Sequence, residues 1–246
     1  MNNAQRALLA VYLPITVLFL IVDRLYPAHA LVNYVKYTSV ISFFLVSLAI
    51  RKTRAEQGLI SLALFFVVLA DFFLVYCNTL PQLANKVVPL GIAGFMLAYL
   101  VLIIVYQKNF SLSKKEAFAL LAVLSIFVPV FLILAPHVTG FLFIGASVFG
   151  FVLCYMTWTS ICTIFRGYFN PGAARIIALS GILMFICDLG VANSLFNPAY
   201  SGSFVPWLKN IIWGAYIPAW CMQVMLIADE NLVAPPYNAR RYTSKR

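Results

Sequence analysis

The sequence predicts an all-α bundle of eight membrane-spanning helices, a single integral domain over residues 1–246 with both termini cytoplasmic. Three observations carry this expectation. First, 63% of the 246 residues are hydrophobic and only 10% are charged, and the mean hydropathy is +0.96; soluble domains carry about 25% charged residues, so a water-solvated globule is excluded. Second, nearly uncharged runs of about 20 residues, the length of one helical crossing, recur between polar breaks without the alternation of barrel strands. Third, the basic residues fall mostly on alternate breaks, as they do on the cytoplasmic side of membrane proteins.

The first span, 7–26, begins after Arg6 and closes near Asp23-Arg24. Its apolar run followed by Ala28-His29-Ala30 imitates a signal peptide, but the single amino-terminal Arg6 and the Asp23-Arg24 interruption favour a retained helix. The second, 31–50, ends at Arg51; the third, 57–77, follows Arg54; the fourth, 87–106, lies between Lys86 and Lys108. From Ala117 to Phe165 no residue is charged, which is too long for one crossing. Pro136, His137 and Gly140 supply the break, giving spans 116–135 and 139–165. The seventh span, 174–196, and the eighth, 205–228, complete the set.

Arg6, Arg51, Lys52, Arg54, Lys108, Lys114, Lys115, Arg166, Arg175, Arg240, Arg241, Lys245 and Arg246 fall on one side of this arrangement. Only Arg24, Lys86 and Lys209 fall on the other. The net charge of +10 is thereby a matter of orientation, and nucleic acid is not an expected partner. The tail Arg240–Arg246 reads as a cytoplasmic stop signal touching anionic lipid. Cys77, Cys154, Cys162, Cys187 and Cys221 lack CxxC spacing and read as packing residues. No metal site or cofactor is expected. A bacterial inner membrane or a eukaryotic endomembrane would suit such a chain.

Ionisable residues at membrane depth are costly and mark candidate functional sites. Lys36, Asp71 and Asp188 lie roughly 22, 25 and 20 Å from the nearest cytoplasmic basic residue at ~1.5 Å per residue, hence at one level. Asp23 lies nearer the interface. Helical spacing puts Asn33 with Lys36, Asn78 with Asp71, and Tyr216, Trp220 and Gln223 on one face of the eighth span. One lysine cannot neutralise two carboxylates, so one aspartate is expected to carry a proton. The blander alternative is a buried ion pair between Lys36 and one aspartate, with the other polar groups joining helices. Tyr26, Tyr155, Trp158, Trp207 and Trp213 read as interfacial anchors or packing, and His137 as a solvated turn residue.

At these residues the sequence resembles the lysoplasmalogenase (YhhN-like) family of eight-helix membrane proteins, diffusely but over nearly the whole chain. The family pattern has a lysine, usually followed by proline, in helix two; Gly-Asp in helix three; His and a following Tyr in helix four; Ser-Asp in helix seven; and Tyr-x-x-Gln in helix eight. Here stand Lys36-Tyr37, Ala70-Asp71, Tyr99 with Leu102, Cys187-Asp188, and Trp220 with Gln223. The charged skeleton is kept and its neighbours differ.

The resemblance implies hydrolysis of the vinyl ether bond of a lysoplasmalogen, a lysophospholipid, to a fatty aldehyde and a glycerophospho-alcohol. Protonating the β-carbon of a vinyl ether and adding water to the resulting oxocarbenium ion suits a neutral carboxylic acid beside a carboxylate. Asp71 and Asp188 are the expected acid and base. Lys36 is expected to hold that pair in mixed protonation or to meet the lipid phosphate. Gln223 and Asn78 would orient water or the ether oxygen, and Tyr99, Tyr216 and Trp220 would line the site. Paired carboxylates at this depth also suit a small proton-coupled transporter, and a non-catalytic lipid-binding protein is a further alternative. A retinal photoreceptor is disfavoured, because the intramembrane lysine lies on helix two.

Overall fold

A computed structural model describes residues 1–27, 29–83, 86–200 and 205–235. Ala28 of the signal-peptide-like segment and the tail residues Arg240, Arg241, Lys245 and Arg246 lie outside the described residues. Eight helices are long and apolar enough to cross a membrane. They are α1 (Asn3–Leu25), α2 (Ala30–Ala49), α3 (Ala55–Asp71), α4 (Val88–Tyr106), α5 (Lys114–Leu134), α6 (Gly140–Arg166), α7 (Pro171–Phe196) and α8 (Pro206–Ile227). A π-helical turn, Phe72–Tyr76, and a 3-10 turn, Cys77–Thr79, prolong α3. The expected break between the fifth and sixth spans is a 3-10 turn, Ala135–His137. Among the described residues no strand occurs beyond an isolated bridge between Phe169 and Val233.

The helices run alternately up and down, and α8 is enclosed by α1, α2, α3 and α7. On the flank, α5 rests mainly on α6. The most apolar span is α5, which is also the least buried, whereas the least apolar, α8, is the most buried. The ordering has a physical cause: a lipid-facing helix needs apolar side chains all round, while a helix wrapped in protein can carry polar groups if each finds a partner. All five cysteines are buried and free, as packing residues.

The termini-bearing end of the bundle is closed by polar side chains. The last carbonyls of a helix have no partner within it. At the end of α8 they are met by side-chain amides from α1 and α3: Gln5 donates to Met225 O at 3.1 Å, and Gln57 donates to Ile227 O at 3.0 Å and Asp229 O at 2.9 Å. Asn2 and Gln5 also form the reciprocal cap that starts α1. Gly167, at φ 65°, takes the left-handed position that ends α6, where a Cβ would be strained. Arg6, Arg51, Lys52, Arg54, Lys108, Lys114, Lys115, Arg166 and Arg175 all belong to this end.

A second ion pair that the charge pattern does not reveal sits here. Arg166 at the end of α6 donates from Nη2 to Glu116 Oε2 at 2.9 Å and from Nε to Oε1 at 3.2 Å, while its Nη1 reaches Tyr106 O at 3.1 Å. Trp158, read from the sequence as an anchor or packing residue, is buried beside it and donates to Glu116 O at 2.8 Å. This pair joins α4, α5 and α6. Removing one member of a buried pair costs about 3–5 kcal/mol, whereas replacing both with apolar groups is close to neutral. Arg166→Met is therefore expected to lower the unfolding midpoint in detergent sharply, and adding Glu116→Leu to restore most of it.

Between α6 and α7, Tyr168 donates to Glu56 Oε1 at 2.5 Å. Burial, aided by that hydrogen bond, pushes the Tyr168 phenol up to about 12. A folded-state value above the unfolded one, about 10, means that the stabilisation is complete below pH 10 and is lost as pH rises through the folded value. The stability difference between the protein and Tyr168→Phe should hold steady to pH 10 and narrow above it, measured by unfolding in detergent across pH 8–11.5.

Candidate active site

At the end of the bundle remote from the termini, a cavity of about 270 Å³ opens between the ends of α3 and α5 and the beginnings of α4, α6 and α8, with α7 along one wall. Helical periodicity builds each wall. Asp71, Leu74, Val75 and Asn78 come from α3 and its continuation, Cys187, Asp188, Val191, Ala192 and Leu195 from α7, and Lys209, Ile212, Trp213 and Tyr216 from α8. Phe127, Phe131, Phe143 and Phe149 supply aromatic walls. Phe143 and Leu195 line the cavity and are also more than a third exposed, so the cavity reaches the bundle surface near the start of α6 and the end of α7.

Asp71 is the last α-helical residue of α3, directly before the π-helical turn. Such turns widen a helix locally and occur often at functional sites. The α3–α4 contact beside it is close: a Cβ on Gly94 would stand 2.9 Å from that of Ala70. Tyr216 of α8 donates its hydroxyl hydrogen to Asp71 Oδ2. Asp188 receives the hydroxyl of Tyr99 on α4 at 2.5 Å. Each carboxyl group thus has one phenol fixing one oxygen, while both face the same cavity.

The expected site residues therefore divide. The structure brings Asp71, Asp188, Asn78 and Tyr216 to the cavity, with Tyr99 immediately behind Asp188. Gln223 is elsewhere. Its Oε1 accepts from Tyr106 at 2.8 Å and its Nε2 donates to Ser180 Oγ at 2.7 Å, fully buried on the termini side of the cavity, so it does not orient water or an ether oxygen there. Trp220 is fully buried against Tyr216, and it too does not line the cavity.

Lys36 requires a larger correction. Its Nζ donates to Asp23 Oδ2 at 2.5 Å and lies 4.4 Å from the centre of the Trp213 ring. It does not bridge Asp71 and Asp188. The reason is hairpin geometry: Asp23 is two residues from the end of α1 and Lys36 six residues into α2, an offset of roughly 6 Å at 1.5 Å per residue that a lysine side chain spans. Trp213, expected as an interfacial anchor or packing residue, instead separates this ion pair from the cavity and forms part of its wall.

Residues 31–228 match the model of the YhhN family. The chain belongs to the YhhN family. Comparisons with curated proteins and with solved structures found no match. Against the YhhN pattern given above, the departures acquire structural meaning. Tyr99, in place of the helix-four histidine, still directs a donor at Asp188. Ala70, in place of glycine, packs on Gly94, so the small residue at this crossing is on α4 as well as α3. Cys187, in place of serine, is buried and lines the cavity beside Asp188.

Because Lys36 and Asp23 are 2% and 5% exposed, leaving either alone strands a charge in the bundle. Lys36→Met and Asp23→Asn should each cost about 3 kcal/mol or more, and the double variant no more than the worse single one, in a double-mutant cycle of detergent unfolding. Additive losses would contradict the pairing.

Proposed function

We propose that the protein is a membrane-embedded lipid hydrolase that cleaves the vinyl ether bond of lysoplasmalogen-type lysophospholipids. The observation that carries this reading is the pair Asp71 and Asp188, held by Tyr216 and Tyr99 on the wall of one mostly apolar cavity that reaches the bundle surface. Membership of the YhhN family and the multi-helix apolar bundle agree with it. The termini-bearing end, with its basic residues, faces the cytoplasm in this reading. The cavity then opens toward the opposite leaflet.

The reaction needs a proton at carbon and then water. One of the two carboxyl groups, protonated, donates to the β-carbon of the vinyl ether, leaving an oxocarbenium ion. The other, ionised, stabilises that cation and takes a proton from the attacking water, as paired carboxylates do at a similar cation in glycoside hydrolysis. The hemiacetal then collapses: the carboxyl group that took the proton from water gives it to the glycerol oxygen, which leaves as the glycerophospho-alcohol, while the first carboxylate takes the hemiacetal hydroxyl proton as the aldehyde forms, restoring both groups. Hydrogen bonds from Tyr99 and Tyr216 fix which carboxyl oxygens face the substrate. Asn78 lines the same cavity about two turns beyond Asp71, toward its outer end.

Detergent-purified protein is expected to release aldehyde from a lysoplasmalogen, and Asp71→Asn and Asp188→Asn each to reduce that by at least about 100-fold while the fold survives, judged by unfolding midpoint. Full activity in either variant overturns the two-carboxyl mechanism. No aldehyde from the folded protein, with pH-dependent solute uptake into liposomes, would favour the carrier instead.

A further inference from the structure

The cation beside the cavity is Lys209, not Lys36. It lies one turn into α8 and lines the cavity, its Nζ 3.4 Å from Ser194 Oγ, which lines the cavity from α7. A lysine so near a helix end ordinarily snorkels outward to the membrane surface. Here the ammonium instead turns to the seam between α7 and α8. Among the described residues the salt bridges are Lys36 to Asp23 and Arg166 to Glu116, and Lys209 is in neither. The hydrogen bond of Asp23 belongs to Lys36, and the partner of Lys209 is the neutral hydroxyl of Ser194. Lys209 thus stands at the wall of an otherwise mostly apolar chamber with a neutral hydrogen-bond partner.

We propose that Lys209 and Ser194 form the subsite for the phosphate of a lysophospholipid, a refinement that rests on the hydrolase reading above. A lysine in no salt bridge, set in a mostly apolar wall, favours an anionic ligand, and an ammonium with a hydroxyl beside it supplies donors to phosphate oxygens. The spacing agrees with the chemistry. Ser194 is six residues beyond Asp188 on α7, and Lys209 seven residues before Tyr216, the partner of Asp71, on α8. Both separations correspond to roughly 9–10 Å along the helix axes at 1.5 Å per residue. In a lysoplasmalogen the phosphorus and the β-carbon of the vinyl ether are seven bonds apart, a span of roughly 8–9 Å when extended at ~1.2 Å per bond. With the phosphate on Lys209, the reacting double bond comes level with the two aspartates.

The test separates this assignment from the hydrolase reading by using ligands that cannot react. Binding of a saturated ether lysophosphatidylethanolamine, of the same ether glycerol without phosphate, and of glycerol phosphate without a chain would be measured by microscale thermophoresis on the purified full chain. The protein should prefer the phosphate-bearing lipid, and Lys209→Met should reduce that preference by at least about ten-fold, as expected for a charged hydrogen bond. Lys209→Arg should recover most of it, and Ser194→Ala should lose part. These results with no aldehyde release from a lysoplasmalogen would sustain the subsite and discard the hydrolase. Aldehyde release with an unchanged preference in folded Lys209→Met would keep the hydrolase and overturn the subsite. Glycerol phosphate binding as tightly as the lipid would also overturn it, assigning the site to a free phosphate ester. If Lys209→Met does not fold, an unchanged preference in folded Ser194→Ala and Lys209→Gln together counts against the proposal.

Discussion

Hydrocarbon offers no hydrogen bonds, and the arrangement of this bundle follows from where its polar groups can find partners. The least apolar helix, α8, sits inside a ring of neighbours, and three of its polar side chains meet groups on α3, α4 and α7. Tyr216 reaches Asp71 on α3, Gln223 meets Tyr106 on α4 and Ser180 on α7, and Lys209 approaches Ser194 on α7. Its terminal carbonyls are taken by Gln5 and Gln57. Each such bond is modest in isolation, but an unpartnered polar group in lipid costs several kcal/mol, so partner choice fixes helix order more firmly than apolar packing, which lipid tails nearly match.

The same constraint separates the two ends of the molecule. At the termini-bearing end the buried charged and amide side chains Gln5, Gln57, Glu116 and Arg166 are paired, most fully around Glu116, which accepts from Arg166 and Ser111. At the other end the cavity keeps carboxyl oxygens and an ammonium facing open space. A membrane protein that pairs its buried charges at one end and leaves acids of both α3 and α7 facing a common chamber at the other concentrates its chemistry in that chamber.

Much of this was legible in the sequence because lipid imposes simple rules. Span lengths, the break at Pro136 to Gly140 and the sorting of basic residues required only the thickness of a membrane and the cost of charge, and eight helices lie where those rules put them to within a few residues. The convergence of Asp71, Asn78 and Asp188 followed from depth and helical spacing. Partner identity did not. Depth alone could not tell that Lys36 reaches Asp23, because three acids lay within a few ångströms of its level; the signal lay in the short α1–α2 connection, which forces these two helices to be neighbours. Gln223 was misplaced for a related reason: sharing a helix face with Tyr216 does not mean sharing a cavity, since seven residues separate them by about 10 Å along the axis. The π-helical turn after Asp71 leaves no mark in composition or period.

The enclosed position of α8 has a consequence for how the molecule is made. Chains emerge from the ribosome amino-terminus first. Of the eight helices, the one that the others surround is the last to be synthesised. Until it arrives, Gln5, Gln57, Ser180 and Asp71 have lost the partners that they hold in the finished bundle, and α1, α2, α3 and α7 flank an empty place. Seven inserted helices are thus an unfinished assembly whose polar groups must be shielded by lipid headgroups, water or a helper protein, and completion comes in one late step.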